Sequence, residues 1–326
     1  MPASERRSVI DVDSTGEAAA ARRVLPPLGW RRRERDPNRR PWTVPTFAGP
    51  AVVLYVGLVF LPLVLAISYS LTNKNILVEH TTYIGAQNYR DLVHDDVFRQ
   101  SLKTTAIMAL LIVLLPNVLG LGVALMLRGE GRLYAVLRTI FFVPQVLAAV
   151  VVSFIWQAML TDSGILNSIL GGIGLGSLQQ GWLDTPNHAV GSVVAVVTWQ
   201  FIGFCAVIYL AALKAIPDEL IEAAQVDGCT GLRRFRRITW PLVAPAVTIN
   251  TVLLFIIGFK LFDYVKVITN GGPGGATNTI ANNIYTVGFT QNDFGAASAM
   301  AVVLFVIVAG VSSAAVILLR RREVTT

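Results

Sequence analysis

Cysteine is nearly absent from this sequence: Cys205 and Cys229 are the only two among 326 residues. They fall in an apolar run and in a basic loop, so neither a disulfide framework nor a cysteine metal site is encoded. The three histidines, His80, His94 and His188, are scattered over stretches that read as loops, where solvation is the expected state. Charge is scarce as well, with 14% charged against 54% hydrophobic residues. That balance, and a mean hydropathy of +0.60, exclude an ordinary soluble domain. The glycine-rich stretch Gly171-Gly172-Ile173-Gly174-Leu175-Gly176 has no Gly-Lys-Ser/Thr ending and no strand before it. It reads as a flexible turn and not as a phosphate loop. No catalytic residues can be picked out, because no nucleophile–base pair is visible. By itself the chain is not expected to be an enzyme.

What the sequence does hold is a series of apolar runs, each roughly 20 residues long, the length that crosses a bilayer. They predict an all-α membrane protein with six transmembrane helices at about 47–71, 101–127, 139–160, 189–213, 246–268 and 295–319. Basic residues border these runs on alternating sides. Arg128, Arg132 and Arg138 follow the second run, Lys214 and Arg233, Arg234, Arg236 and Arg237 follow the fourth, and Arg320, Arg321 and Arg322 follow the sixth. The stretches 161–188 and 269–294 carry no Lys or Arg. The positive-inside rule then predicts a multi-pass protein of the cell membrane with both termini cytoplasmic. The net charge of +7 is explained by this pattern, and no nucleic-acid partner is expected. Residues 1–46 read as a disordered basic cytoplasmic tail without a secretory signal. The cluster Arg31, Arg32, Arg33, Arg35, Arg39 and Arg40 fits contact with anionic membrane lipid. Residues 320–326 read as a short cytoplasmic tail.

The stretch 214–245 is polar and basic between two apolar runs. Pro217 suits the first position of a helix. Asp218 and Glu219 place negative charge in its first turn, where the helix dipole favours it. Leu220, Ala223, Ala224 and Val226 give it an apolar side. Gly228 stands where a left-handed cap is expected. Thr230 suits the cap of a second helix, with Leu232, Phe235 and Ile238 as its apolar side. A helix–glycine–helix bracket of this kind can seat in a partner, or can be an ordinary connection.

In the fifth run Lys260, Asp263 and Lys266 recur at three-residue steps, which places them on one helix face. Ionisable residues at membrane depth face a bundle interior or water. One reading is a self-neutralised stripe that orders the bundle. The other is that Asp263, with Lys260, Tyr264 and Asn250, lines a hydrated route for a polar solute.

Several of these motifs together resemble a known family. Glu222-Ala223-Ala224, then Asp227-Gly228, Phe235, Ile238, Pro241 and Pro245, look like the EAA loop of ABC importer permeases, with Cys229 where that pattern has alanine. Gly85, Asn88, Tyr89, Leu92 and Phe98 are similar to a segment of the sugar-type permeases, and Arg138 with Pro144 to another. Phe262-Asp263, Thr269-Asn270-Gly271-Gly272-Pro273, Thr277, Thr279, Tyr285, Phe289, Gly295 and Ala299 are similar to the signature of carbohydrate-uptake permeases. The resemblance covers about 47–319. It implies a maltose-permease-like, type I ABC importer fold. It implies the membrane subunit of a sugar importer, paired with a second related permease chain, driven by two copies of an ATPase that binds ATP and Mg²⁺, and supplied by an extracellular solute-binding protein. In that reading Leu220, Glu222, Ala223, Ala224, Val226, Asp227, Gly228 and Phe235 couple the path to the ATPase. The competing classes are a self-contained secondary transporter or channel, which calls for an inverted repeat that is not evident by eye, and a membrane scaffold.

Overall fold

The computed structural model describes residues 43–78 and 80–321. The chain divides into two units, Met1–Val56 and Gly57–Thr326. In the first, the described part includes helix α1 (Thr43–Tyr55), with Pro50 inside it. The predicted N-terminal tail lies outside the described residues up to residue 42, as does the tail from residue 322. Residues 43–46, expected in the tail, open α1.

The second unit contains α2 (Leu61–Ser70), α3 (Gln87–His94), α4 (Asp96–Met126), α5 (Arg132–Val146), α6 (Ala149–Met159), α7 (Ile165–Gly172) and α8 (Pro186–Lys214). It continues with α9 (Asp218–Val226), α10 (Gly231–Arg234), α11 (Trp240–Leu242), α12 (Ala244–Phe259), α13 (Asp263–Ile268), α14 (Ile280–Tyr285) and α15 (Phe294–Arg320). Among the described residues four stretches are long and apolar enough to cross a membrane: Ala48–Ser70, Asp96–Met126, Pro186–Lys214 and Phe294–Arg320. Two bent pairs, α5 with α6 and Gly231–Leu242 with α12, raise the number to six if each is one span.

The third and fifth predicted runs therefore differ from the straight spans the sequence suggests. The third bends by 97° between α5 and α6. Pro144 removes a donor in the last turn of α5, and Leu147 and Ala148 are extended. The fifth, predicted from residue 246, is preceded by a 64° bend where Val243 stands between Pro241 and Pro245. It also ends early, because α12 stops at Phe259 and α13 is a separate helix. Each interruption frees backbone groups that must be satisfied within the protein at membrane depth. Side chains do this. Gln200 Nε2 donates to the Leu147 carbonyl at 2.9 Å, and Thr279 Oγ donates to the Leu261 carbonyl at 2.7 Å.

The centre of the unit is α4, which packs along α8 and α12. Small residues permit the approach, as helix packing in membranes favours. A Cβ on Gly120 would lie 2.6 Å from the Cβ of Cys205, and one on Gly258 would lie 2.7 Å from the Cα of Ala109. Gly122, two residues beyond Gly120, has open space around it. One buried cluster joins Met108, Ile112, Val197, Tyr209, Leu213 and Leu254; a second joins Leu92, Phe98, Phe259, Ile280 and Met300.

Two of the family-like motifs have local structural work to do. Asn88 Nδ2 donates to the carbonyls of Ser70 and Thr72 at 2.8 and 2.9 Å, closing the C-terminal end of α2. Arg138 donates to the carbonyls of Leu127 and Gly129 beyond the end of α4.

Candidate functional site

The bracket at 214–245 is anchored by Leu213 and Ile216, both buried. α9 begins at Asp218, so Pro217 stands at the N-cap, one position earlier than predicted. Asp218 and Glu219 occupy the first turn as expected. The C-terminal end closes as a Schellman motif. Gly228 takes φ +69°, its N–H donates to the Gln225 carbonyl at 3.0 Å, and the Cys229 N–H donates to the Ala224 carbonyl at 2.7 Å. A Cβ on Gly228 would meet nothing within 4 Å, so its backbone conformation, and not crowding, calls for glycine.

The apolar side of α9 is arranged differently from the expectation. Ala224 is buried, and Ile221 packs on the main core cluster. Leu220 and Val226 are exposed, at 45% and 88%, and Ala223 is exposed beside them. The periodicity therefore encodes two surfaces, one inward and one outward. Glu222, Asp227 and Gly228 are exposed as well.

Thr230 occupies the N-cap of α10 but its side chain makes no capping hydrogen bond, contrary to the prediction. The chain passes from α10 into a π-helical turn, Phe235–Thr239. Phe235 is half-buried and lies 6.1 Å, centroid to centroid, from the ring of Trp240. Arg233, Arg236 and Arg237, with Leu232, border an open hollow of about 540 Å³.

The four residues read as a solute route are not brought onto one surface. The predicted stripe Lys260, Asp263 and Lys266 is broken because residues 260–262 separate α12 from α13. Its ion pairs do not form: among the described residues the ion pair is Arg99 with Asp96. Lys266 instead reaches Asn270 Oδ1 at 2.8 Å and lies 4.6 Å from the centre of the Tyr285 ring. Lys260 and Asp263 are exposed. Lys260 borders a groove of about 460 Å³ with Ile256, Ile284, Leu304 and Phe305. Asn250 and Tyr264 are buried. Asn250 Nδ2 faces the Cys205 carbonyl at 3.4 Å, and its Oδ1 is buried without a hydrogen bond. The Tyr264 hydroxyl donates to Gln200 Oε1 at 2.8 Å. Sequence reasoning missed Gln200, although a lone amide inside the apolar run 189–213 is a signal in plain view.

The comparisons with known proteins agree with this architecture. The family described as "Binding-protein-dependent transport system inner membrane component" matches residues 116–324. Over 278 residues the chain is 34% identical to the probable starch degradation products transport system permease protein AmyD of Thermoanaerobacterium thermosulfurigenes, covering 85% of this chain and 94% of that one. It is 33% identical over 270 residues to the diacetylchitobiose uptake system permease protein NgcF of Streptomyces coelicolor, covering 79% and 76%. Its fold is similar to that of a chain in a bacterial alginate ABC transporter crystallised with an alginate pentasaccharide-bound periplasmic protein. The TM-score is 0.74 at 22% identity, over 85% of this chain and 93% of the other.

Proposed function

This chain belongs to the family of inner-membrane components of binding-protein-dependent transport systems, and we propose that it forms the translocation path of an ATP-driven carbohydrate importer. Sugar as the cargo is supported by relatives whose names specify starch degradation products and diacetylchitobiose. The chain pairs with a second, related permease. Two copies of a cytoplasmic ATPase drive the pair, and ATP and Mg²⁺ bind there and not on this chain. A solute-binding protein delivers the sugar from outside. Both termini are cytoplasmic, which puts the basic N-terminal cluster beside anionic lipid.

The observation that carries the coupling role is the two-faced helix α9. Ile221 and Ala224 tie it to the bundle, while Leu220, Ala223 and Val226 face away from it, next to exposed Glu222 and Asp227. The Gly228 cap fixes where the helix ends. α9 thus serves as the coupling helix, seated in a groove of the ATPase, with Phe235 bracing the return. ATPase closure tips the bundle between two conformations, and differential affinity for those states performs the work. Lys260 and Asp263 contribute to the path surface, and Asn250 and Tyr264 set the helices behind it.

The test is purification of the chain from its native membrane in mild detergent, followed by mass spectrometry, beside a Glu222→Arg/Gly228→Asp double variant. The expected result is an ATPase and a second permease with the wild type, and loss of the ATPase alone with the variant. A stable chain recovered without either partner refutes the importer reading and favours a self-contained transporter.

A further inference from the structure

Away from the coupling loop and the Lys260 groove, residues 160–188 fold over the start of α8. Asn167 is the hub of this fold-over. It is 7% exposed, and its Nδ2 donates to the carbonyls of Asp162 and Gln180 at 3.1 and 3.0 Å. Its Oδ1 accepts from Trp182 Nε1 at 2.9 Å. Ser192 Oγ donates to the Trp182 carbonyl at 2.9 Å, so both the ring and the backbone of Trp182 are held. Beside it is a cavity of about 280 Å³, lined by Trp156 and Trp182, with the buried Leu160 and Val196 in its wall. Trp156 is braced by Trp199, whose ring centre lies 5.5 Å away at an interplanar angle of 70°.

Besides Ser192, whose hydroxyl is committed to Trp182, three polar side chains line it: Gln180, Asn187 and His188. His188 Nδ1 faces the Gly181 carbonyl at 3.2 Å, which assigns the proton to Nδ1 and leaves Nε2 as an acceptor. Among the described residues the side-chain amides of Gln180 and Asn187 have no hydrogen-bond partner. Each offers one acceptor and two donor hydrogens. Two fixed aromatic rings, two uncommitted amides and one open imidazole nitrogen thus line one concavity. That is the composition of a preformed small-molecule site, in which apolar walls supply area and a few polar groups supply orientation.

The chemistry selects the ligand. The C–H face of a pyranose ring packs on indole, and its hydroxyls both donate and accept, matching the amides and the imidazole. No Asp, Glu, Lys or Arg lines the cavity, which suits an uncharged ligand. Its volume falls just under the usual range of about 300–1,000 Å³ for ligand pockets, giving room for one sugar ring and not a chain. We propose that this cavity binds a single neutral pyranose unit, at a site separate from the groove beside Lys260. The ligand class rests on the carbohydrate reading above. The same hydroxyl chemistry is present in the headgroup of a glucolipid, so the test separates the two sources.

The full chain, purified with its partners into phosphatidylcholine nanodiscs, is titrated with glucose, galactose and N-acetylglucosamine. Binding is read by saturation-transfer NMR and tryptophan fluorescence. At least one of these sugars is expected to bind saturably. The Gln180→Ala/Asn187→Ala double variant, which alters two exposed side chains, is expected to raise its Kd about tenfold, while Trp182→Phe retains most of the affinity. Failure of all three sugars to bind overturns the proposal, including the case in which only discs containing a glucolipid fill the cavity. Binding that is indifferent to the double variant overturns it too. Uptake of labelled carbohydrate is measured in parallel. Import without sugar binding here removes this site and leaves the importer reading; binding here by a complex that imports no carbohydrate does the reverse.

Discussion

The hydroxyl of Tyr264 donates to Gln200 Oε1 at 2.8 Å, and the other end of the same amide donates to the Leu147 carbonyl at 2.9 Å. One side chain on α8 thereby joins α13, just beyond the α12 break, to the residue at the 97° bend between α5 and α6. Gln200→Leu leaves a buried hydroxyl and a carbonyl without partners and is expected to cost about 1–3 kcal/mol for each group stranded. Tyr264→Phe removes one partner and is expected to cost less. Thermal unfolding of the purified complex checks the order; equal midpoints for the two variants would separate Gln200 from the bend.

Gly228 holds φ +69° in open space, so substitutions there act through the backbone. Gly228→Val is expected to strain the cap by about 1–2 kcal/mol and to reduce uptake at least tenfold, with unchanged membrane levels. Gly228→Asn, which tolerates the left-handed conformation, retains more activity. Equal uptake by the two variants in a labelled-sugar assay counts against the cap.

Val226 is 88% exposed, so Val226→Asp is expected to change stability by less than about 0.5 kcal/mol. Co-purification of the ATPase should nonetheless fall sharply. A variant that keeps its ATPase and its transport rate would move the docking surface off α9.

A side chain on Gly258 meets the backbone of Ala109. Gly258→Val is therefore expected to force α4 and α12 apart at a cost of about 1–3 kcal/mol or more. Membrane-inserted protein, measured by immunoblot, should drop, whereas Gly122→Ala, with open space around it, should accumulate normally.

Asp263 is exposed and takes part in no ion pair among the described residues. Asp263→Asn is expected to alter the transport rate or KM by a factor of about three or more while assembly is unchanged. Collapse of the complex in a size-exclusion profile would assign the carboxylate to structure.

The helical membrane architecture was legible because apolar runs of sufficient length have few other fates. The Gly228 cap was legible because left-handed geometry is local and glycine announces it. The bends were not. Pro144, Pro241 and Pro245 mark places where a helix can yield, but the bend depends on distant partners, Gln200 in one case, and on packing that no window of sequence contains. The charged stripe failed for the same reason. Its spacing assumed one helix, and Thr279 closes the Leu261 carbonyl of a chain that has already left it. On α9 the predicted apolar side took in Ala224 but left out Ile221 and included the exposed Leu220, Ala223 and Val226, because periodicity cannot tell a surface awaiting a partner from one turned inward.

The division of α9 into an inward pair, Ile221 and Ala224, and an outward set, Leu220, Ala223 and Val226, has an evolutionary consequence. Under the proposed docking of an ATPase on α9, substitutions on the outward set leave the bundle intact, so selection can retune which motor is recognised without renegotiating the interior. A duplicated permease can then be re-matched to a different or shared ATPase by drift across three positions, while the residues that hold the helix in place stay as they are.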